Sequence, residues 1–523
     1  MNETRPVLIV GAGPTGLTAA LELARLGVPV RLVDQYSAPS ATSRALAVHS
    51  RTVELMQQRG LAAEMVRLGN PGYAACLYDG AKRLGKIDLH QVDSRFNFVL
   101  LLSQSETERI LRDHLLRAGV RVECSTQLVG FTQMASSGVR ATLQKANGER
   151  EDVEAAWLID AEGAHSFARH RLDLPFEGNS LPNTYAIADL YLDGDVPDDE
   201  LSIFIPEAGL VAAFPMGNRR FRVLATERHT VAHDAPAPTL ADMHAMWSHS
   251  VPIPVLLRDL QWSSRFRINS RALTRLRHGS IFFAGDAAHI HSPAGGQGMN
   301  TGMQDAINLA WKMALVYQGR AGDALLDTYD EERLPIIQQL VSTTERATDL
   351  INSESHFVHT LLRHVLPVVL NLEAVRRKGA GLVSELAVHY RNSSLNAGSE
   401  GSDGVHAGDR FPDVAVSHSG SARVLDLLDP SRFTALVAGS AGVKGDLCAT
   451  RQVPVPSAAF RAALGDAQVA VVRPDGYVLC AGSAAFVQAR LDAWAGQWLN
   501  GPAPASARPS VQADRAAGSS APH

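Results

Sequence analysis

Gly11, Gly13 and Gly16, in VLIVGAGPTG, have the spacing G-x-G-x-x-G that lets a backbone approach a pyrophosphate. Gly11 permits a tight turn, Gly13 leaves the backbone bare, and Gly16 lets a helix pack closely. Pro14 and Thr15 open that helix, whose free N–H groups and positive dipole end would face the phosphates. Asp34 follows eighteen residues after Gly16, placed to accept hydrogen bonds from an adenosine ribose. A second stretch, FFAGDAAHIHSPAGGQGMN, brings Gly285 and Asp286, then Pro293 and the run Gly295, Gly296, Gln297, Gly298, Met299 and Asn300. A flat ligand could lie on bare backbone there, with the next helix offering its N-terminus to negative charge. In a third cluster, AAWLIDAEGAHSFAR, an apolar run ends in Asp160, Glu162, Gly163, Ser166 and Arg169. His289 and His291 have no third ligand at metal spacing, so the expectation is no metal site and bonding to the loop backbone.

These residues need elements to carry them. Residues 7–10 form an apolar run of buried-strand type. Leu17, Leu21 and Ala24 recur at helical spacing, Gly27 is a helix stop, and residues 28–33 are a second strand ending in Asp34. This is a β-α-β unit. Residues 281–284 read as a buried strand, and Met303, Ile307, Ala310 and Ala314 mark the inner face of a helix. A helix is expected over 107–118, with strands near 120–124 and 139–144. Residues 1–175 and 269–392 are read as one domain, interrupted by a sheet-rich domain at 176–268. The Ser/Gly/Asn-rich segment 393–408 reads as a linker, 409–500 as a small α/β domain, and 501–523 as a disordered tail.

The chain has 523 residues, 46% hydrophobic and 20% charged, with net charge −5, which is enough for several buried cores and argues against nucleic-acid binding. The arginines Arg219, Arg220 and Arg222 are interrupted by Phe221 and read as a solvated strand. Four cysteines form no CxxC, which fits thiols in a reducing cytoplasm. Neither a signal peptide nor a membrane span is expected, because glycines and Arg25 interrupt the apolar N-terminal run.

Together the three clusters resemble the single-component FAD-dependent aromatic monooxygenases, in the branch of phenol-type and aromatic-polyketide hydroxylases. The resemblance implies an α/β fold: a Rossmann-like FAD-binding domain, an inserted β-sheet substrate domain and a thioredoxin-like C-terminal domain. The last rests on VAVVRPDGYVLC at 469–480, where no CxxC stands, so a packing or homodimer-contact role is expected. Asp34 would hold the FAD ribose, Arg44 and Gln104 would contact the cofactor, and Asp286 would hold its ribityl chain. Pro293 and the backbone from Gly295 to Asn300 would lie along the flavin ring. NADPH or NADH would bind transiently, its phosphates meeting Arg44, Arg169, and Arg267 or Arg271. The reduced flavin would react with O2 to a C4a-hydroperoxide that hydroxylates a small aromatic substrate. His49 is the candidate base, with Phe204, Phe214, Pro215 and Phe221 as substrate lining. Baeyer–Villiger insertion or epoxidation stays open on the same motifs, and a non-catalytic FAD-binding module is the reading from another class. The strand end departs from the family pattern Asp-Gly-x-x-Ser-x-x-Arg: Gly163, Ser166 and Arg169 match, but Glu162 replaces the aspartate.

Overall fold

The computed structural model describes residues 5–39, 45–135, 138–205, 209–227, 235–292, 295–351, 369, 372–417, 421–440, 442–444 and 447–499. Arg44, Pro293 and the tail 501–523 therefore lie outside the described residues.

The glycine loop sits at the end of a six-stranded sheet. Its order is Arg277–His278, Ile281–Phe283, Trp157–Asp160, Val7–Val10, Val30–Val33 and Val122–Glu123. Four strand pairs are parallel, with Val7 opposite both Trp157 and Val30. A parallel strand is covered on both faces, which is why VLIV is apolar at every position and fully buried. The helices Pro14–Arg25, Gln104–Arg117 and Gly298–Tyr317 pack around this sheet. The second begins three residues before the sequence pattern predicts, because Ser103 caps it by accepting from the Glu106 N–H.

An eight-stranded sheet forms the second layer, in the order His289–Ile290, Val255–Ala272, Glu177–Gly194, Arg220–Thr226, Val211–Pro215, Glu200–Phe204, Ala74–Asp79 and Lys82–Asp88. Its strands reach beyond 176–268. Glu200–Phe204 pairs in parallel with Ala74–Asp79, a contact between distant stretches that leaves no local trace in either.

The C-terminal part has a five-stranded mixed sheet: Gly398–Ser399, Val478–Gly482, Val469–Val472, Phe433–Ala438 and Cys448–Val453. Helices Ala458–Leu464 and Ala484–Trp498 accompany it. The polar segment 393–408 is packed rather than free: Gly398 pairs with Cys480, Leu395 is fully buried, and the Ser393 hydroxyl donates to Glu332. Its polar side chains serve as caps and hydrogen-bond partners, which composition alone reads as linker. Among the described residues, no helix is long and apolar enough to cross a membrane, and no three His, Cys, Asp or Glu converge as metal ligands.

Candidate active site

The glycine loop has the geometry a pyrophosphate needs. Gly11 has φ +98°, and a β-carbon there would lie 2.3 Å from Ala161 O; one on Gly16 would lie 1.9 Å from Gly11 O. A β-carbon on Gly13 meets nothing within 4 Å, so that side of the loop is bare and open. The helix Pro14–Arg25 starts at Gly13 with no side-chain cap, leaving its first N–H groups to a ligand. Asp34 ends the second strand; its Oδ2 accepts from Ala12 N–H at 2.6 Å and its Oδ1 from Tyr36 N–H at 2.9 Å. Gln104 opens the helix Gln104–Arg117, its amide donating to Glu108 at 2.9 Å and its carbonyl accepting from Ala45 N–H at 3.4 Å.

The strand end at 160–169 uses both acids. Asp160 is fully buried; its Oδ1 accepts from Glu162 N–H at 3.0 Å and its Oδ2 accepts the Ser166 hydroxyl. Glu162, one methylene longer, reaches forward to accept from Phe167 N–H at 3.0 Å, at the start of the helix Phe167–Arg171. Burial pushes both carboxyls above the ordinary range, and Asp160 pushes Glu162 further. Gly163 has φ +85° with open space beside it. Arg169, expected to meet the nicotinamide nucleotide, is 3% exposed here, donating to Ala287 O at 2.9 Å and Ala164 O, with its guanidinium carbon 4.0 Å from the centre of the Phe176 ring. It clamps this strand end to the Gly285 turn. Two carbonyls and one ring thus engage its guanidinium in this structure.

That turn is fixed from below. Gly285 N–H donates to Asp305 Oδ2 at 3.1 Å, and the same carboxylate takes His289 Nε2 at 2.8 Å and Arg333 Nε at 2.7 Å. Asp286 is exposed at the end of strand Ile281–Phe283. Thr15 joins the two glycine motifs: a β-carbon on Gly285 would lie 2.5 Å from its Oγ1, and one on Gly302 2.3 Å. His291 is used by the loop, its Nδ1 lying 2.8 Å from Ser292 O.

The helix Gly298–Tyr317 starts at Gln297, again without a side-chain cap. Gly295 and Gly296 have φ +98° and +66°, and Gln297 donates to Leu382 O at 3.2 Å. Met299 is half-buried against the core. Asn300 ties the loop together, donating to Ala47 O at 2.9 Å and Gly296 O at 3.1 Å, and accepting from His49 N–H at 2.9 Å.

The substrate-lining expectation is corrected by strand alternation. Phe204 and Phe221 are fully buried in the core between the large sheet and the helix Leu240–Ser250, Phe204 edge-on to Trp247 at 5.6 Å. Pro215 stands opposite Phe221. Phe214 points to the other face, among Tyr185, Ile187 and Leu224. On that face lies a residue the sequence reading missed. Arg222, 1% exposed, bridges to Asp189 at 2.7 and 2.8 Å and donates to Ala45 O at 3.1 Å. Its partner lies 33 residues away, so only sheet register, not local charge pattern, brings it indoors.

A family model described as an FAD binding domain matches residues 4–344, and one described as the C-terminal part of aromatic-ring hydroxylases matches residues 405–502. The chain belongs to the FAD-dependent aromatic-ring hydroxylases. It is 36% identical over 513 residues to 6-methylpretetramide 4-monooxygenase of Streptomyces rimosus, covering 91% of this chain and 90% of that protein. The fold of OxyS anhydrotetracycline hydroxylase from Streptomyces rimosus matches with TM-score 0.77 and 29% identity, over 95% of this chain and 99% of that one. A ternary complex of aklavinone-11 hydroxylase with FAD and aklavinone matches with TM-score 0.74 and 25% identity, over 95% and 99%. This member of the family is therefore a flavoprotein monooxygenase. Its bare Gly13, two uncapped helix starts and backbone-lined Gly295–Gly298 loop suit FAD.

Proposed function

We propose that the protein hydroxylates a phenolic or polyketide-like aromatic substrate, with NADPH or NADH as reductant and O2 as oxidant. FAD, when bound, supplies electron storage and oxygen activation. Gly11, Gly13, Pro14, Thr15 and Gly16 cradle its pyrophosphate, Asp34 the ribose, and Gln104, Glu162, Gly163, Gly285 and Asp286 border it. The loop Gly295–Asn300 receives the ring system, and the N-terminus of the helix Gly298–Tyr317 stabilises negative charge developing there. The face carrying Phe214 and Arg222 closes over the site, because Arg222 bonds Ala45 next to the loop that Asn300 holds. With Arg169 withdrawn into the protein, Arg267, exposed on the strand Val255–Ala272, is the arginine offered to nucleotide phosphate.

The observation carrying this reading is the second uncapped helix start, joined by Thr15 to the first and faced by bare glycine backbone. A protein that only stored FAD would need the first alone. Purified protein should be yellow, its flavin absorbance bleached by NADPH or NADH, with oxygen uptake stimulated by a panel of phenols. Product mass should rise by one oxygen atom. Bound flavin that neither nucleotide reduces, with or without phenols, rejects the reading.

A further inference from the structure

Two buried side chains beside the Gly296 loop each hold one polar atom that has no partner among the described residues. His49 is 2% exposed, and its Nε2 lies 3.3 Å from Gly296 O. A carbonyl only accepts, so Nε2 carries the hydrogen and Nδ1 is the bare, proton-accepting nitrogen. Nδ1 has no hydrogen-bond partner among the described residues. Glu385 is 6% exposed; its Oε2 accepts from Gln304 Nε2 at 2.6 Å, while Oε1 has no partner among the described residues.

Glu385 also has φ +59°, a conformation that side chains with a β-carbon avoid. Five other described non-glycine residues share a positive φ, and none of them is buried. Backbone strain of about 1–3 kcal/mol persists where the surroundings hold it, and it concentrates at working sites. Asn300 and Gln304, one turn apart on the helix Gly298–Tyr317, bring the two together, Asn300 accepting from His49 N–H and Gln304 donating to Glu385 Oε2; burial raises the Glu385 carboxyl, while His49, then Gln304, Arg333 and Arg51, lower it. Arg51 lies two residues beyond His49 in the helix that His49 begins, Arg333 on the helix Thr328–Ile351, and both are engaged elsewhere. Arg51 pairs with Glu54 at 3.2 Å, and Arg333 with Asp305 at 2.7 Å.

We propose that His49 Nδ1 takes the phenolic proton in the active site, with the Glu385 carboxylate balancing the charge of the imidazolium. This rests on the hydroxylase reading above. The phenol O–H bond breaks, its electron pair stays on oxygen as the phenolate, and the proton forms a new N–H bond on Nδ1, directly or through one bridging water. It resides there, and the nearby Glu385 carboxylate offsets the charge, so that no isolated imidazolium is left in a buried site. The activated phenolate is the electron-rich ring that hydroxylation requires.

The test compares holoenzyme of wild type, Glu385→Gln, Glu385→Asp and His49→Gln, using the most active phenol of the panel. Glutamine keeps the bond from Gln304, so flavin absorbance per protein should match wild type. Below the ionisation of a free phenol, near pH 10, Glu385→Gln and His49→Gln should lose roughly 100-fold in kcat, with KM changed less. Both should recover as the pH approaches that value, where substrate arrives as phenolate, and Glu385→Asp should retain part of the activity throughout. Without turnover, the absorbance of 4-nitrophenol bound to oxidised holoenzyme should show its ionisation shifted to higher pH in both variants. A loss equal at every pH, or variant profiles that track wild type, overturns the pair while leaving hydroxylation intact. If wild type hydroxylates no phenol, the function itself fails.

Discussion

Glu162 illustrates how a single residue can depart from a family pattern and still complete its loop. Asp160 takes the short-range bonds to Glu162 N–H and Ser166, and the longer Glu162 reaches Phe167. Burial raises both carboxyls in the folded chain, so between the ordinary carboxylate value and the raised one the folded state binds more protons than the unfolded. Their contribution to stability is complete below about pH 4 and is lost as the pH rises through the raised values. Glu162→Gln removes one of these groups. Its urea midpoint should therefore fall less steeply with rising pH than that of wild type, and the two curves should converge in acid. Parallel curves would mean that Glu162 titrates normally in the folded protein. Residue types at this scale were legible: the acids, Gly163 and Ser166 stand in one short stretch. Arg222 and Glu385 were not, because Arg222 meets Asp189 across strands, and Glu385 meets Gln304 from a turn 81 residues further along the chain.

At the scale of elements, the glycines divide by what their missing side chains make room for. Gly302 lies within the helix Gly298–Tyr317, where alanine would ordinarily gain about 1 kcal/mol. Its β-carbon would meet Thr15 Oγ1 at 2.3 Å and Gly285 Cα at 3.0 Å. The backbone contact cannot turn aside, so Gly302→Ala should cost about 1–3 kcal/mol in urea unfolding despite its propensity. Gly13 is the opposite case, with φ −75° and no neighbour within 4 Å. Gly13→Ala should leave the stability of flavin-free protein within about 0.5 kcal/mol, yet weaken FAD at least tenfold in a fluorescence titration. Equal FAD affinity in Gly13→Ala would place the pyrophosphate elsewhere. The β-α-β unit and the helix after the second glycine loop could be read from period and turn chemistry, which are local. The membership of Ala74–Asp79 in the large sheet could not, since pairing of distant strands is set by the tertiary fold.

Over the whole molecule, the C-terminal domain is joined to the FAD-binding part by charge buried on both sides. Arg473 donates to Glu332 Oε1 at 2.5 Å and Oε2 at 3.0 Å, and Lys312 reaches the same carboxylate at 2.8 Å. All three side chains are fully buried. Asp475 accepts from Arg473 and from the Trp311 indole, whose ring meets Phe433 at 5.6 Å. Thus the RPDGY turn, which carries no redox cysteine pair, is a plug of countercharge in the long helices. Glu332 holds Arg473 while its neighbour Arg333 holds Asp305, which fixes the Gly285 turn. Removing one member of a buried pair is more harmful than removing both, because the survivor keeps its desolvation cost. Arg473→Met should therefore destabilise the protein by about 3–5 kcal/mol; Glu332 keeps Lys312, so the carboxylate left without a cation is Asp475, and adding Asp475→Asn should restore part of that loss. The single variant should also release FAD more readily, because the strain falls on the helix that supports the Gly285 turn. Both effects are measured on one sample, by urea unfolding and by flavin retained after gel filtration. An Arg473→Met protein as stable as wild type would show that the domains are held by their apolar contacts alone, with the charges as passengers.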